Sequence, residues 1–275
     1  MEKPQFKFSQ NFNLNHCKVN RAELQKKSPM ARTQHVAFNV VGSSHVVQPG
    51  FIEQFELQFF EGLPAKRRFL YPGVFLGYRG KGTKDKAACD DMVEKLKLIS
   101  TQQDYQGQLV VLLFGTNDAS EHVGPQKEKM LKDFGDRCRA LYTKLLEIPN
   151  LVLMPTALLP RGYQRFRPLA NANMFLASEM VRNVCAELRE NSDFSERIRF
   201  IDINKNIARM SSDLVSSPEP GVLARGNVHL SALGNKIAVK NLLLAVNMVP
   251  SQCLGVEIPA RNLPRQKKKK VSSPK

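Results

Sequence analysis

The chain has 275 residues, of which 42% are hydrophobic and 24% are charged, enough for the core of one sizeable domain. The net charge of +16 favours polyanionic partners such as nucleic acid or anionic lipid. No apolar run reaches the roughly 18 residues of a membrane span, and the N-terminus lacks the apolar segment of a secretory signal. Five scattered cysteines without CxxC spacing predict free thiols in an intracellular, cytoplasmic or nuclear compartment and argue against a disulfide framework or a zinc site.

Strands and helices alternate through the middle of the chain. The predicted strands cover residues 35–41, 69–76, 109–114, 151–155 and 198–203. The predicted helices cover residues 49–60, 85–99, 127–148, 173–190 and 232–248. This alternation predicts an α/β protein, a three-layer α/β/α sandwich around a five-stranded parallel sheet. Right-handed crossovers leave few topologies, and the flavodoxin-like strand order 2-1-3-4-5 is the natural one.

The ends of the chain differ from this middle region. Residues 1–33 are polar and basic without a lasting period, which predicts a poorly ordered extension. Residues 34–250 form the predicted domain, and residues 251–275 form a predicted disordered tail. We assign a nucleic-acid-binding role to six basic residues of that tail: Arg261, Arg265, Lys267, Lys268, Lys269 and Lys270. A like-charge run is also typical of a solvated tail without a partner.

Three strand-end or helix-start motifs carry candidate chemistry. The run LVVLLFGTND has no polar alternation, as expected of a doubly buried strand, and it delivers Asn117 to the carboxyl end of the sheet, where ligands bind. An ordinary turn is the alternative reading. The first strand, HVAFNVVGSSH, delivers Ser44 to the same edge, although a Ser there can also cap the next helix. The late motif GNVHLSALGN places His229 just before a helix.

In their order and spacing, these motifs resemble those of the SGNH (GDSL-type) hydrolase superfamily over residues 35–248. The resemblance implies a serine esterase that acts on a small ester without metal or other cofactor. Ser44 would be the nucleophile and His229 its base, and the oxyanion donors would be the Ser44 N–H, the Asn117 amide and a glycine N–H. We expect that glycine to be Gly82, with Gly80 as the alternative.

The chain departs from the family pattern at two positions. The family's Gly-Asp-Ser is Gly42-Ser43-Ser44, and the acid three residues before the His is Gly226. The open alternatives for orienting His229 are Asn227, a carboxylate from the long connection (Asp213 or Glu219), or a backbone carbonyl that leaves a Ser–His dyad. We therefore expect a weak or atypical esterase if the protein is active. The alternative is a non-catalytic protein that binds RNA or DNA, as the SGNH-like OSK domain of Oskar proteins binds RNA, or a module encoded by a mobile element.

Overall fold

A computed structural model gives the structure of the chain. It describes residues 35–62, 70–102, 105–119, 127–161, 170–210, 216–224, 229–249 and 253. The predicted extension, residues 1–33, and all of the predicted tail except residue 253 lie outside these ranges.

A parallel sheet forms the centre of the molecule. Its strands are β1 (His35–Gly42), β2 (Leu70–Gly77), β3 (Tyr105–Leu113) and β4 (Leu151–Pro155), in the order β2-β1-β3-β4. All three pairings are parallel, so the four carboxyl ends share one edge. The predicted order is confirmed for these strands. β2 pairs with one side of β1, and the chain then crosses to the other side of β1 to add β3 and β4.

The predicted fifth strand needs a correction. The segment 198–203 is not a continuous strand but meets β4 through two isolated parallel bridges, Leu153 with Ile198 and Thr156 with Ile201. Backbone bonds such as that from Ile201 N to the Pro155 carbonyl, 2.9 Å, keep it beside β4. The segment therefore occupies the fifth position of the order with too few consecutive pairings to be a strand, and the α/β fold class is confirmed.

Helices cover both faces of the sheet. They are α1 (Pro49–Gly62), α2 (Lys86–Ser100), the short α3 (Thr116–Ala119), α4 (Lys127–Leu146), α5 (Ala170–Glu190) and α6 (Ala232–Asn247). Side-chain caps set two of the starts: Asp85 accepts from Ala88 N at 3.0 Å, and Ser231 accepts from Gly234 N at 3.1 Å. Alternation along β1 sends Val36 and Phe38 to the core beneath α1 and α6, and Ala37 to the core beneath α2, α4 and α5.

A polar pair lies inside this apolar sheet. Asn39 of β1 donates to the Gln108 side chain of β3 at 2.9 Å and accepts from Val74 N at 2.9 Å. The register of β1 and β2 shifts at this point, so Asn39 Oδ1 satisfies a backbone donor freed by the irregularity. Gly73 approaches so closely that a Cβ there would collide with the Asn39 side chain.

The long connection before α6 contains a small hairpin that the sequence did not predict. Its strands are β5 (Ala208–Met210) and β6 (Ser216–Pro218), paired antiparallel.

No helix in the described part of the chain is long and apolar enough to span a bilayer.

Candidate active site

Ser44 lies just beyond the carboxyl end of β1. The strand ends at Gly42, where a side chain would collide with the Leu113 carbonyl of β3, and Ser43 N then bonds that carbonyl at 3.0 Å. The chain turns sharply through residues 43–47 before α1 begins. The Ser44 side chain, half-buried, is thus presented at the edge of the sheet where ligands bind in such folds.

His229 reaches Ser44 from the other end of the chain. Its Nε2 lies 3.0 Å from Ser44 Oγ. Backbone bonds hold the segment in place: Ala224 N donates to the His229 carbonyl at 3.1 Å, and Ser231 N donates to the Val222 carbonyl at 2.8 Å. The structure therefore brings together two residues separated by 185 positions, at a separation suited to proton transfer.

Gln48 is a further side chain at His229. Its Nε2 lies 3.4 Å from His229 Nε2. An amide N–H and the Ser44 hydroxyl both meet the same ring nitrogen, so the tautomer that suits both donors has the lone pair on Nε2 and the proton on Nδ1. That is the tautomer a general base needs. Sequence reasoning missed Gln48, whose one signal was its position in the turn that follows β1.

The ring of His45 packs edge-on against that of His229, with 5.1 Å between the centroids. The His45 side chain is buried, 3% exposed. Burial lowers the pKa of His229 below its usual value, and the positive charges of Arg161 and Arg79 lower it further. The neutral, proton-accepting form of His229 is therefore favoured.

Asn117 stands at the start of α3, directly after β3. Its Nδ2 donates to the Lys81 carbonyl at 2.7 Å, and its Oδ1 accepts from the Arg161 guanidinium. The side chain is thus fixed between the loop after β2 and the segment after β4. Arg161 is 8% exposed, and the rule that strand ends carry functional residues could have identified it, because it follows β4.

Asp118 clamps the loop that carries Gly82. Its buried carboxylate accepts from Thr83 N at 2.7 Å, from Thr83 Oγ1 at 2.9 Å and from Lys84 N at 3.3 Å. The guanidinium of Arg137, on α4, lies 3.6 Å from Asp118 Oδ1 and donates to Thr83 Oγ1 at 3.0 Å. Asp118, which follows β3, therefore ties α3 to the loop between β2 and α2.

Gly82 lies against that carboxylate, and any Cβ at residue 82 would collide with it. A cleft of about 260 Å³ opens here, lined by Gly80, Lys81, Gly82, Lys84, Asp85, Asn117 and Asp118. Both candidate oxyanion glycines and Asn117 therefore line one cleft. Their roles as donors stay predictions.

The remaining predicted site residues have different outcomes. Gly226, Asn227 and Asp213 lie outside the described residues, as do the basic residues of the tail, so their predicted roles stay predictions. Glu219 lies after β6, where its backbone N donates to the Ile207 carbonyl at 2.8 Å. Within the described ranges, no group of three or more His, Cys, Asp or Glu side chains is arranged to hold a metal ion.

Comparison with known proteins shows similarity in structure only. No protein-family profile matches the sequence, and no curated protein matches it significantly. Among solved structures, a lipase/acylhydrolase from Enterococcus faecalis matches with a TM-score of 0.51 and 13% identity over 77% of this chain and 95% of that one. A GDSL-like lipase from Bacteroides thetaiotaomicron matches with a TM-score of 0.45 and 14% identity over 82% and 93% of the two chains.

An acetyl xylan esterase matches with a TM-score of 0.49 and 18% identity over 77% of this chain and all of the other. The fold assignment depends on the Enterococcus faecalis structure together with the strand order and helix placement described above. The chain therefore shares the α/β fold of the lipase/acylhydrolase from Enterococcus faecalis.

Proposed function

We propose that the protein is a serine hydrolase that cleaves a small ester or an acetyl group. The observation that supports this most directly is the 3.0 Å separation of Ser44 Oγ and His229 Nε2 at the carboxyl edge of the sheet. A hydroxyl is a weak nucleophile until a neighbouring base takes its proton, and the lowered pKa of His229 keeps that base neutral.

In the proposed reaction, Ser44 Oγ attacks the ester carbonyl while its proton passes to His229 Nε2. The developing oxyanion accepts hydrogen bonds from the Ser44 N–H, the Gly82 N–H and the Asn117 amide, each worth about 3 kcal/mol in comparable sites. His229 then protonates the leaving alcohol. Water, deprotonated by His229, releases the acyl group from Ser44 and restores both residues.

Gly226 leaves the proposed mechanism without an acid at the family position. In a serine protease, neutralising the corresponding acid lowered kcat by about 10⁴-fold. We therefore propose a slow enzyme, either a Ser–His dyad or a triad completed by Glu219 or Asp213. Loss of most activity in Glu219→Gln or in Asp213→Asn alone would identify the acid, whereas retained activity in both would favour the dyad.

The experiment that tests the proposal compares Ser44→Ala with wild type in hydrolysis of p-nitrophenyl acetate. Losing the nucleophile of a Ser–His pair is expected to lower kcat by roughly 10³-fold or more. Ser192→Ala, at an exposed serine after α5, is the matched control and should keep the wild-type rate. Equal rates for wild type and Ser44→Ala would overturn the proposal.

A second candidate function is binding of RNA or DNA without catalysis. It is favoured by the net charge of +16 and by the last 15 residues, which contain seven lysines and arginines and no acid. Phosphate contacts by such residues give affinity without requiring the Ser44–His229 pair to react.

A further inference from the structure

Two arginines follow strands that end at the same edge of the sheet as Ser44. Arg161, after β4, is buried and donates to Asn117 Oδ1. Arg79, two residues beyond β2, is exposed. Burial is the main cause of the lowered pKa of His229, and the positive charges of Arg161 and Arg79 lower it further. Positive charge therefore approaches the site from two strand ends.

Two carboxylates that line the described cleft are engaged with other groups. Asp85 and Asp118 are the two acidic residues that line the cleft beside Asn117. Asp118 accepts from Thr83 and Lys84, and Asp85 pairs with Lys81 at 2.5 Å while it caps α2. These bonds direct both carboxylates into the loop between β2 and α2.

This arrangement opposes hydrolysis of a neutral ester. His229 must become a cation in the transition state, and two arginine charges make that step less favourable. The family's acid would offset the cost, but its position is Gly226. A negative charge on the substrate would offset the same cost, because it would stand close to both arginines and to the imidazolium.

We propose that the substrate is an anionic ester, whose carboxylate, sulfate or phosphate group is bound by Arg161 and Arg79 beside the scissile bond. This inference rests on the proposed hydrolase function and names its substrate class. Guanidinium groups suit such anions because their planar N–H pairs match two oxygens at once. Arg161 is the residue that sets the specificity, and Arg79 completes the site from the rim.

The test uses esters that differ only in charge. For a charge on the alcohol, 3-acetoxybenzoate is compared with its methyl ester; for a charge on the acyl group, phenyl hydrogen adipate is compared with its methyl ester. We expect wild type to prefer the anionic member of at least one pair by about tenfold in kcat/KM, with the preference falling as salt screens the charges. Hydrolysis without preference in either pair would overturn the inference and leave the hydrolase function standing.

Variants assign the preference to the arginines. Arg161→Gln should lower the preference by about tenfold or more because this arginine is buried, and Arg79→Gln by about two- to fivefold because that one is exposed. Lys97→Gln, at an exposed lysine on α2, is the matched control and should keep the preference. An unchanged preference in Arg79→Gln and in folded Arg161→Gln would overturn the inference. If Arg161→Gln does not fold, Arg79→Gln alone decides.

Binding separates this inference from the hydrolase function. If wild type hydrolyses none of the four esters, the hydrolase function fails. Calorimetric titration of Ser44→Ala with 3-acetoxybenzoate and with its methyl ester then tests the anion site by itself. Tighter binding of the anion, weakened about two- to fivefold in the double variant Ser44→Ala with Arg79→Gln, supports the site, and equal binding of the two esters overturns it.

Discussion

At the scale of single residues, the site depends on how the structure keeps His229 neutral. Burial is the larger cause of its lowered pKa, and the charges of Arg161 and Arg79 add to it. An acid partner would raise the pKa of an imidazole, whereas these groups lower it. His229 therefore stays neutral to a lower pH than an exposed histidine would.

This environment predicts the pH dependence of the reaction. The profile of kcat/KM reports the free enzyme, so its acid limb should have its midpoint below the ordinary histidine value of about 6.5. Activity should be lost only as the pH falls through that lowered midpoint. Arg79→Gln removes one of the causes and should move the midpoint upward, with Lys97→Gln as the unchanged control. A midpoint above about 6.5 in wild type would contradict the dyad and indicate an acid partner for His229.

At the scale of elements, the carboxyl edge is assembled by loops that are tied to one another. Asp118 at α3 holds the loop between β2 and α2 through Thr83 and Lys84, and Asn117 holds the same loop through the Lys81 carbonyl. Gly82 lies between these ties. Because a buried carboxylate without its donors is costly, these bonds fix one loop conformation.

This clamp predicts the effect of Asp118→Asn. The substitution keeps the shape but removes the charge that strengthens the bonds to Thr83 and Lys84, so the free energy of unfolding should fall by about 2 kcal/mol. Because the loop carries Gly82, kcat on p-nitrophenyl acetate should fall while KM changes little. Urea unfolding and steady-state kinetics measure the two effects. Asp136→Asn, at an exposed aspartate of α4, is the control, and wild-type kcat in Asp118→Asn would refute the positioning role.

At the scale of the whole molecule, an apolar sheet is covered on both faces by helices, and the chain as a whole has a large positive net charge. Four parallel strands bury apolar side chains on both sides, which leaves the carboxyl edge and the surface for function. The net charge of +16 plays no part in the packing of this apolar core. It determines instead which partners approach, because long-range attraction depends on the summed charge.

The charge predicts how nucleic-acid binding, if present, responds to salt. The affinity for single-stranded RNA should fall steeply with salt, and replacing Lys267, Lys268, Lys269 and Lys270 by Gln should reduce the slope by about 0.7 for each phosphate that is no longer neutralised. Replacing the same four residues by Arg should keep the slope, since the charge is kept. Filter binding or fluorescence anisotropy at several salt concentrations measures it. No binding at low salt would exclude this second candidate function.

The sequence determined the fold class, because buried strands and amphipathic helices record their surroundings in their own hydrophobic pattern. Continuous apolar runs identified β1 and β3, and β4 was predicted with its observed bounds, Leu151–Pro155. The segment 198–203 was predicted as a strand but makes only two isolated bridges to β4, because its apolar alternation indicates burial and not the number of backbone hydrogen bonds that it forms. The hairpin of β5 and β6 lacks such a pattern and was missed.

The sequence also brought Ser44, Asn117 and His229 into one hypothesis, because each stands at a strand end or helix start in a recognisable motif. Only the tertiary structure decided what surrounds them. The bonds from Asp118 to Thr83, the Arg161 contact to Asn117 and the ring of His45 against His229 join segments far apart in the chain. No local pattern encodes such contacts, because they depend on which loops the packed sheet places at the same edge.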